Sequence, residues 1–93
     1  MGQIIPQNKW IYDFMRYNGK VLAMVIRMRR LDLNYSQDYI AGKLGMSQNA
    51  YSKLELGHTG ITIGKFLVIC QALELHPGEL IGLYTDRLHL PGE

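Results

Sequence analysis

The stretch SQDYIAGKLGMSQNAYSKLELG, residues 36–57, constrains the fold more than any other part of this 93-residue chain. Ser36 precedes an apolar-periodic run, where its hydroxyl can cap a helix. Ile40, Ala41 and Leu44 recur at helical spacing over 37–44 and predict one inward face. Gly45 supplies a turn, because a residue without a Cβ takes a positive φ that others resist. Ser47 can cap a second helix over 48–56, with Tyr51 and Leu54 inward. Two helices meeting steeply through so short a turn need a small residue where they approach, and Ala41 is that residue. Ile40, Leu44, Tyr51 and Leu54 then form the wedge that holds the angle. Each requirement is common alone, and together they are uncommon.

Helical periodicity also dominates the flanks, and no stretch alternates long enough for a strand. Trp10, Ile11, Phe14 and Met15 share one face of a short helix over 8–17. Asn18-Gly19 can break it. The next helix, 20–31, is apolar almost all round from Val21 to Ile26, so it needs cover on more than one side. The N-terminal aromatic segment is the natural cover. Asn34 can end that helix in the left-handed conformation. Thr62 caps a helix over 63–73, with Ile63, Phe66, Leu67, Cys70 and Leu73 on one side. Pro77 fits the first position of a last short helix carrying Leu80, Ile81, Leu83 and Tyr84. Met24, Met28 and Met46 read as core packing. The resulting organisation is an N-terminal extension over 1–18 packing on the core, a helical domain over 19–85, and a tail over 86–93.

Composition bounds the function. With 47% hydrophobic and 19% charged residues, the chain reads as one globular domain. No apolar run is long enough to span a bilayer. The opening MGQIIPQNKW lacks the order of a secretory signal, and Pro6 stands where myristoylation wants Ser or Thr. The single Cys70 reads as a buried thiol in a reducing cytosol, so a cytoplasmic protein is expected. His58, His76 and His89 with one cysteine make no metal-site pattern. No nucleophile–base pair or phosphate loop stands out, so neither an enzyme nor a cofactor is expected. The net charge of +2 is small, but it is uneven. Residues 1–55 hold eight Lys/Arg against four Asp/Glu, and residues 56–93 hold two against four. The basic side is therefore the part of the chain that contains residues 36–57.

The segment resembles the lambda-repressor-like, or Xre-type, helix-turn-helix family of prokaryotic and phage regulators. Ser36-Gln37, Ala41, Gly45, Ser47, Ser52, Glu55 and Gly57 carry the likeness, which extends over about residues 20–84. It implies an all-α, compact five-helix domain, here with an additional short N-terminal helical segment. It also implies a second motif helix lying in the DNA major groove. Gln48 and Asn49 would then meet base edges, since an amide offers donor and acceptor side by side to adenine. Taken without the motif, they are only an exposed polar helix start. Ser52 and Lys53 lie one turn further on, and Lys53 can reach guanine or a phosphate. Gln37 matches the family's phosphate-contacting glutamine, and Ser47, Lys43 and Thr59 in the 58–60 loop are weaker phosphate candidates. The family pairs an arginine of the first core helix with a glutamate before the glycine, here Arg30 and Glu55, as a structural ion pair. Arg27 and Arg29 read as a solvated or phosphate-facing edge. Tyr51 stands where Ile or Val is commoner, so its hydroxyl needs a partner.

These residues predict a sequence-specific regulator of double-stranded DNA, a repressor acting as a homodimer on a palindromic operator. Leu83, Tyr84, Leu88 and Leu90 form the first candidate dimer surface, and the N-terminal segment the second. Trp10 and Phe14 read equally as local cover or subunit interface. The other reading is an antitoxin that neutralises a toxin-like protein partner while binding its own promoter.

Overall fold

The computed structural model describes residues 16–88. These residues form five helices: α1 (Gly19–Asp32), α2 (Gln37–Lys43), α3 (Gln48–Glu55), α4 (Ile63–Ala72) and α5 (Pro77–Asp86). No strand occurs among them. Most of the stretch expected to form a helix over 8–17 lies outside the described residues.

Each helix starts on a side-chain cap. Asn18 Oδ1 accepts from Val21 N at 3.1 Å, Ser36 Oγ from Tyr39 N at 3.0 Å, and Ser47 Oγ from Ala50 N at 3.1 Å. Thr62 Oγ1 accepts from Lys65 N at 3.1 Å. At α5, His76 Nδ1 accepts from Gly78 N while Glu79 Oε1 accepts from His76 N, both at 3.0 Å. These bonds satisfy amides that the first turn of a helix leaves without partners.

The first four helices also share one ending. Asn34, Gly45, Gly57 and Glu74 take φ of 60°, 67°, 77° and 57° just past α1, α2, α3 and α4. In each case the next residue's N–H reaches back five positions: Tyr35 to Arg30, Met46 to Ala41, His58 to Lys53 and Leu75 to Cys70. This is the Schellman arrangement, and it turns the chain sharply while satisfying the last carbonyls. Glu74 does this without a residue type that favours it.

Gly45 and Gly57 separate two costs of a side chain at such a turn. A Cβ at Gly45 meets nothing within 4 Å, whereas one at Gly57 lies 3.1 Å from the Lys20 Cα. Gly45→Ala should therefore cost only the left-handed strain, about 1–2 kcal/mol. Gly57→Ala should cost more, because backbone must also move. Urea midpoints of the two variants check the order.

The core joins Leu22, Val25 and Ile26 of α1 to Ile40 and Ala41 of α2, Tyr51 and Leu54 of α3, four residues of α4, Leu73 and Leu80. α1 packs against α3 and α5, α2 against α3, and α4 against α5. The inward face of α4 is Phe66, Ile69, Cys70 and Leu73, with Ala72 beside it. Ile63 and Leu67, expected inward, are instead 76% and 49% exposed. In a helix so rich in apolar residues, two neighbouring stripes satisfy the helical period equally well, and packing selects one. Met24 and Met28 are likewise exposed rather than in the core, because α1 is covered by α3 and α5 on only part of its circumference. Met46 and Leu44 are half-buried against the core.

Beside α1 lies an apolar groove of about 170 Å³, bordered by Tyr17, Leu22, Ile61, Phe66, Ile81 and Tyr84. Asn18 N donates to the Tyr84 hydroxyl at 2.9 Å at this edge. Among the described residues no single helix is long and apolar enough to cross a membrane, and the apolar pair α4–α5 is bent by 100°.

Candidate nucleic-acid interface

α3 buries one side and exposes the other. Tyr51, Leu54 and Glu55 face the interior. Gln48, Asn49 and Lys53 are exposed, and Ser52 is half-buried. Ser52 and Lys53 follow Gln48 and Asn49 by four residues, one helical turn, so the four share a surface. Ser47 is exposed, and its Oγ is engaged in capping α3. Thr59 is exposed in the loop between α3 and α4. Lys43, at the far end of α2, places its ammonium 5.3 Å from the Tyr39 ring centroid and borders a shallow groove with Val68, Gln71 and Ala72. Lys43 is thus associated with α4 rather than with the polar start of α3.

Beneath the exposed face lies a charged network. Arg30 Nε donates to Glu55 Oε2 at 2.6 Å, and Arg30 Nη2 to Glu55 Oε1 at 3.1 Å. Both residues are buried. Arg30 Nη1 donates to the Tyr35 carbonyl at 2.7 Å, which also fixes the turn after α1. The Tyr51 hydroxyl donates to Glu55 Oε2 at 2.5 Å, and Gln37 Nε2 donates to Glu55 Oε1 at 3.0 Å. One carboxylate thereby ties α1, α2 and α3 together with four hydrogen bonds. The bidentate fork is the geometry in which a guanidinium holds a carboxylate most firmly. Burial alone would raise the Glu55 pKa, but the hydrogen bonds from Arg30, Tyr51 and Gln37 outweigh it and hold the carboxyl below its usual range. The bond to Glu55 raises Arg30, against the opposing effect of burial. Burial, then the bond to Glu55, pushes Tyr51 above its usual value.

The sign of each shift sets a pH dependence. Glu55 is depressed in the folded state, so its contribution is present above the unfolded value of about 4.3 and is lost as pH falls through the folded value. Tyr51 is raised, so its contribution is present below about 10 and is lost as pH rises through the folded value. Tyr35, held by Glu74 and pushed up to about 12, acts in the same alkaline direction. These contributions are whole between about pH 5 and pH 9, so the urea midpoint should fall as pH goes below or above that range. Tyr51→Phe should make the alkaline fall shallower.

Besides the Gln37–Glu55 bond, sequence reasoning missed three ties. Arg29, read as a solvated edge, instead donates through Nε to the Leu73 carbonyl at 3.0 Å and through Nη2 to the Glu74 carbonyl at 3.1 Å. It thereby locks the end of α1 to the end of α4. No local signal marks this role, because the partners are carbonyls far away in sequence. The Tyr35 hydroxyl donates to Glu74 Oε2 at 2.5 Å, with the Tyr39 ring 4.6 Å from that of Tyr35. Tyr51 and Glu55, by contrast, stand four apart on one helix, a spacing that could have been read.

The arrangement is that of a two-helix motif clamped from behind by a buried ion pair, with a polar helix start left outward. The sequence profile of the family described as Helix-turn-helix matches residues 26–80. The chain belongs to this family. It is of the lambda-repressor-like, Xre type, a DNA-binding protein of transcription regulation. Among solved structures it is similar to the clp gene regulator ClgR from C. glutamicum, with a TM-score of 0.72 and 20% identity, covering 76% of this chain and 92% of that one. It is also similar to the restriction-modification controller protein C.AhdI from Aeromonas hydrophila, with a TM-score of 0.61 and 20% identity, covering 78% and 99%. At this identity the likeness concerns the fold. No curated protein sequence matches the chain.

Proposed function

We propose that this helix-turn-helix protein is a transcriptional repressor that binds a palindromic operator as a homodimer, with α3 in the major groove. The exposed start of α3 carries this reading: Gln48 and Asn49 are free of the core while Tyr51, Leu54 and Glu55 hold the helix from behind. Gln48 and Asn49 contact base edges, with Ser52 and Lys53 completing the surface. Gln37, Ser47 and Thr59 contact phosphates, with Lys43 a more distant one. ClgR and C.AhdI, a gene regulator and a controller protein by name, support a role in controlling genes. The exposed Ile81 and Leu83 of α5 support pairing of two copies through that helix. Two-fold pairing places two α3 helices about 34 Å apart, in successive major grooves.

Selection of bound sequences from random duplex DNA tests the reading. A palindrome with half-sites centred about one helical turn apart is expected. An unenriched pool, or a single asymmetric half-site, would overturn the dimeric operator. A second expectation concerns salt. Gln37→Ala should weaken every duplex about equally, by at least roughly tenfold, the loss of a hydrogen bond to a charged group in each subunit. A neutral amide releases no counterion, so the slope of log K against log salt should stay unchanged, whereas losing a phosphate-bound lysine reduces it by about one.

A further inference from the structure

We propose that Glu55 is a positioning residue for the DNA-backbone contact: its Oε1 dictates which end of the Gln37 amide faces outward, presenting an N–H rather than a carbonyl to a phosphate. The inference rests on the reading of Gln37 as a phosphate contact. A glutamine amide has two ends of nearly equal size and opposite character. One end donates and the other accepts, so a phosphate, which only accepts, binds one end and is repelled by the other. Nothing in the glutamine side chain itself selects between them.

Glu55 makes the selection. Its carboxylate can only accept, and Gln37 Nε2 lies 3.0 Å from Oε1. Turning the amide over would bring its carbonyl oxygen against a buried negative oxygen, exchanging a charge-assisted hydrogen bond for repulsion. One of the two Nε2 hydrogens is thereby spent inward and the other is left for an outer acceptor. Among the described residues the bond to Glu55 is the only hydrogen bond this amide makes. Glu55 cannot rotate to follow Gln37, because Arg30 grips both its oxygens and the Tyr51 hydroxyl holds Oε2. At 5% exposure it does not itself reach DNA. Gln37 is half-buried, so its chain is held along the protein surface and its amide is ordered before DNA arrives. Ordering in advance removes a cost that binding would otherwise bear. The ion pair that stabilises the fold thus also sets the polarity of a surface contact.

A double-mutant cycle tests this on a fixed duplex of random sequence, read as the dissociation constant at temperatures where each variant is folded. In the wild-type background Gln37→Ala should weaken binding by at least about tenfold. In the Glu55→Gln background, where the inner partner offers a donor as well as an acceptor, the same change should cost no more than about twofold. In a Tyr51→Phe background, which loosens the network but leaves Oε1 in place, the tenfold cost should persist. An equal cost in all three backgrounds overturns the positioning role while leaving the phosphate contact standing. No cost in the wild-type background overturns the phosphate contact itself. Should Glu55→Gln fail to fold, the wild-type chain still decides by NMR. The two Gln37 side-chain amide protons should differ, one shifted downfield and exchanging slowly and the other exchanging fast. Both protons at ordinary glutamine positions and exchanging fast overturn the proposal.

Discussion

Glu55→Ala should destabilise the protein by about 3–5 kcal/mol, the cost of leaving one partner of a buried ion pair alone. For a domain of this size that lowers the melting temperature by at least about 12 °C. The reason lies in what remains behind. The Arg30 guanidinium, only 7% exposed, would lose both bonds of its fork. The buried Tyr51 hydroxyl and the Gln37 amide would lose their acceptor at the same time. Glu55→Gln should cost less, since it keeps the shape and one acceptor. Circular dichroism melts of the two variants provide the check. Glu55 lies beneath the motif and does not reach a base, so the ranking of duplexes by affinity should survive in the folded fraction. A melting curve like that of the wild type would remove the network from its place in the stability of the fold.

The paired substitution Gln48→Ala with Asn49→Ala has the largest expected effect on recognition. A good bidentate amide–base contact discriminates by about 1–3 kcal/mol, so losing both should reduce preference for the selected operator by roughly 30-fold to roughly 20,000-fold. Affinity for unrelated duplexes should change little, because phosphate contacts supply nearly all of that term. Both residues are exposed at the start of α3, so the melting temperature should move only slightly. The measurement is competition between operator and random duplex at one salt concentration. An unchanged ratio would place base recognition elsewhere on the molecule. Glu55 and the Gln48–Asn49 pair thus predict opposite phenotypes from residues on one helix, stability without preference and preference without stability.

How far the chain could be read in advance follows the range of the interactions. The caps Ser36, Ser47 and Thr62, the left-handed Asn34 and Gly45, and Pro77 at the start of α5 were all legible. Each depends on a residue's own backbone preference or on a partner within a few positions. The motif 36–57 was legible for the same reason, since its wedge and turn are set by spacing along one short segment. The outward start of α3 followed from the inward pattern of Tyr51 and Leu54. The face of α4 was only partly legible: Phe66, Cys70 and Leu73 are buried as expected, whereas Ile63 and Leu67 belong to an adjacent apolar stripe that packing leaves outside.

By itself, then, the sequence determined the helices, their ends, the turn between α2 and α3, and the polar residues that α3 carries outward. These are local matters of backbone freedom, capping and periodicity. Only the tertiary structure decided which stripe of α4 is buried, that Arg29 closes the end of α4, and that the Gln37 amide reaches the Glu55 carboxylate. Those outcomes depend on which surfaces meet and on distances of about 3 Å between groups from separate helices, and no spacing along a single segment encodes them.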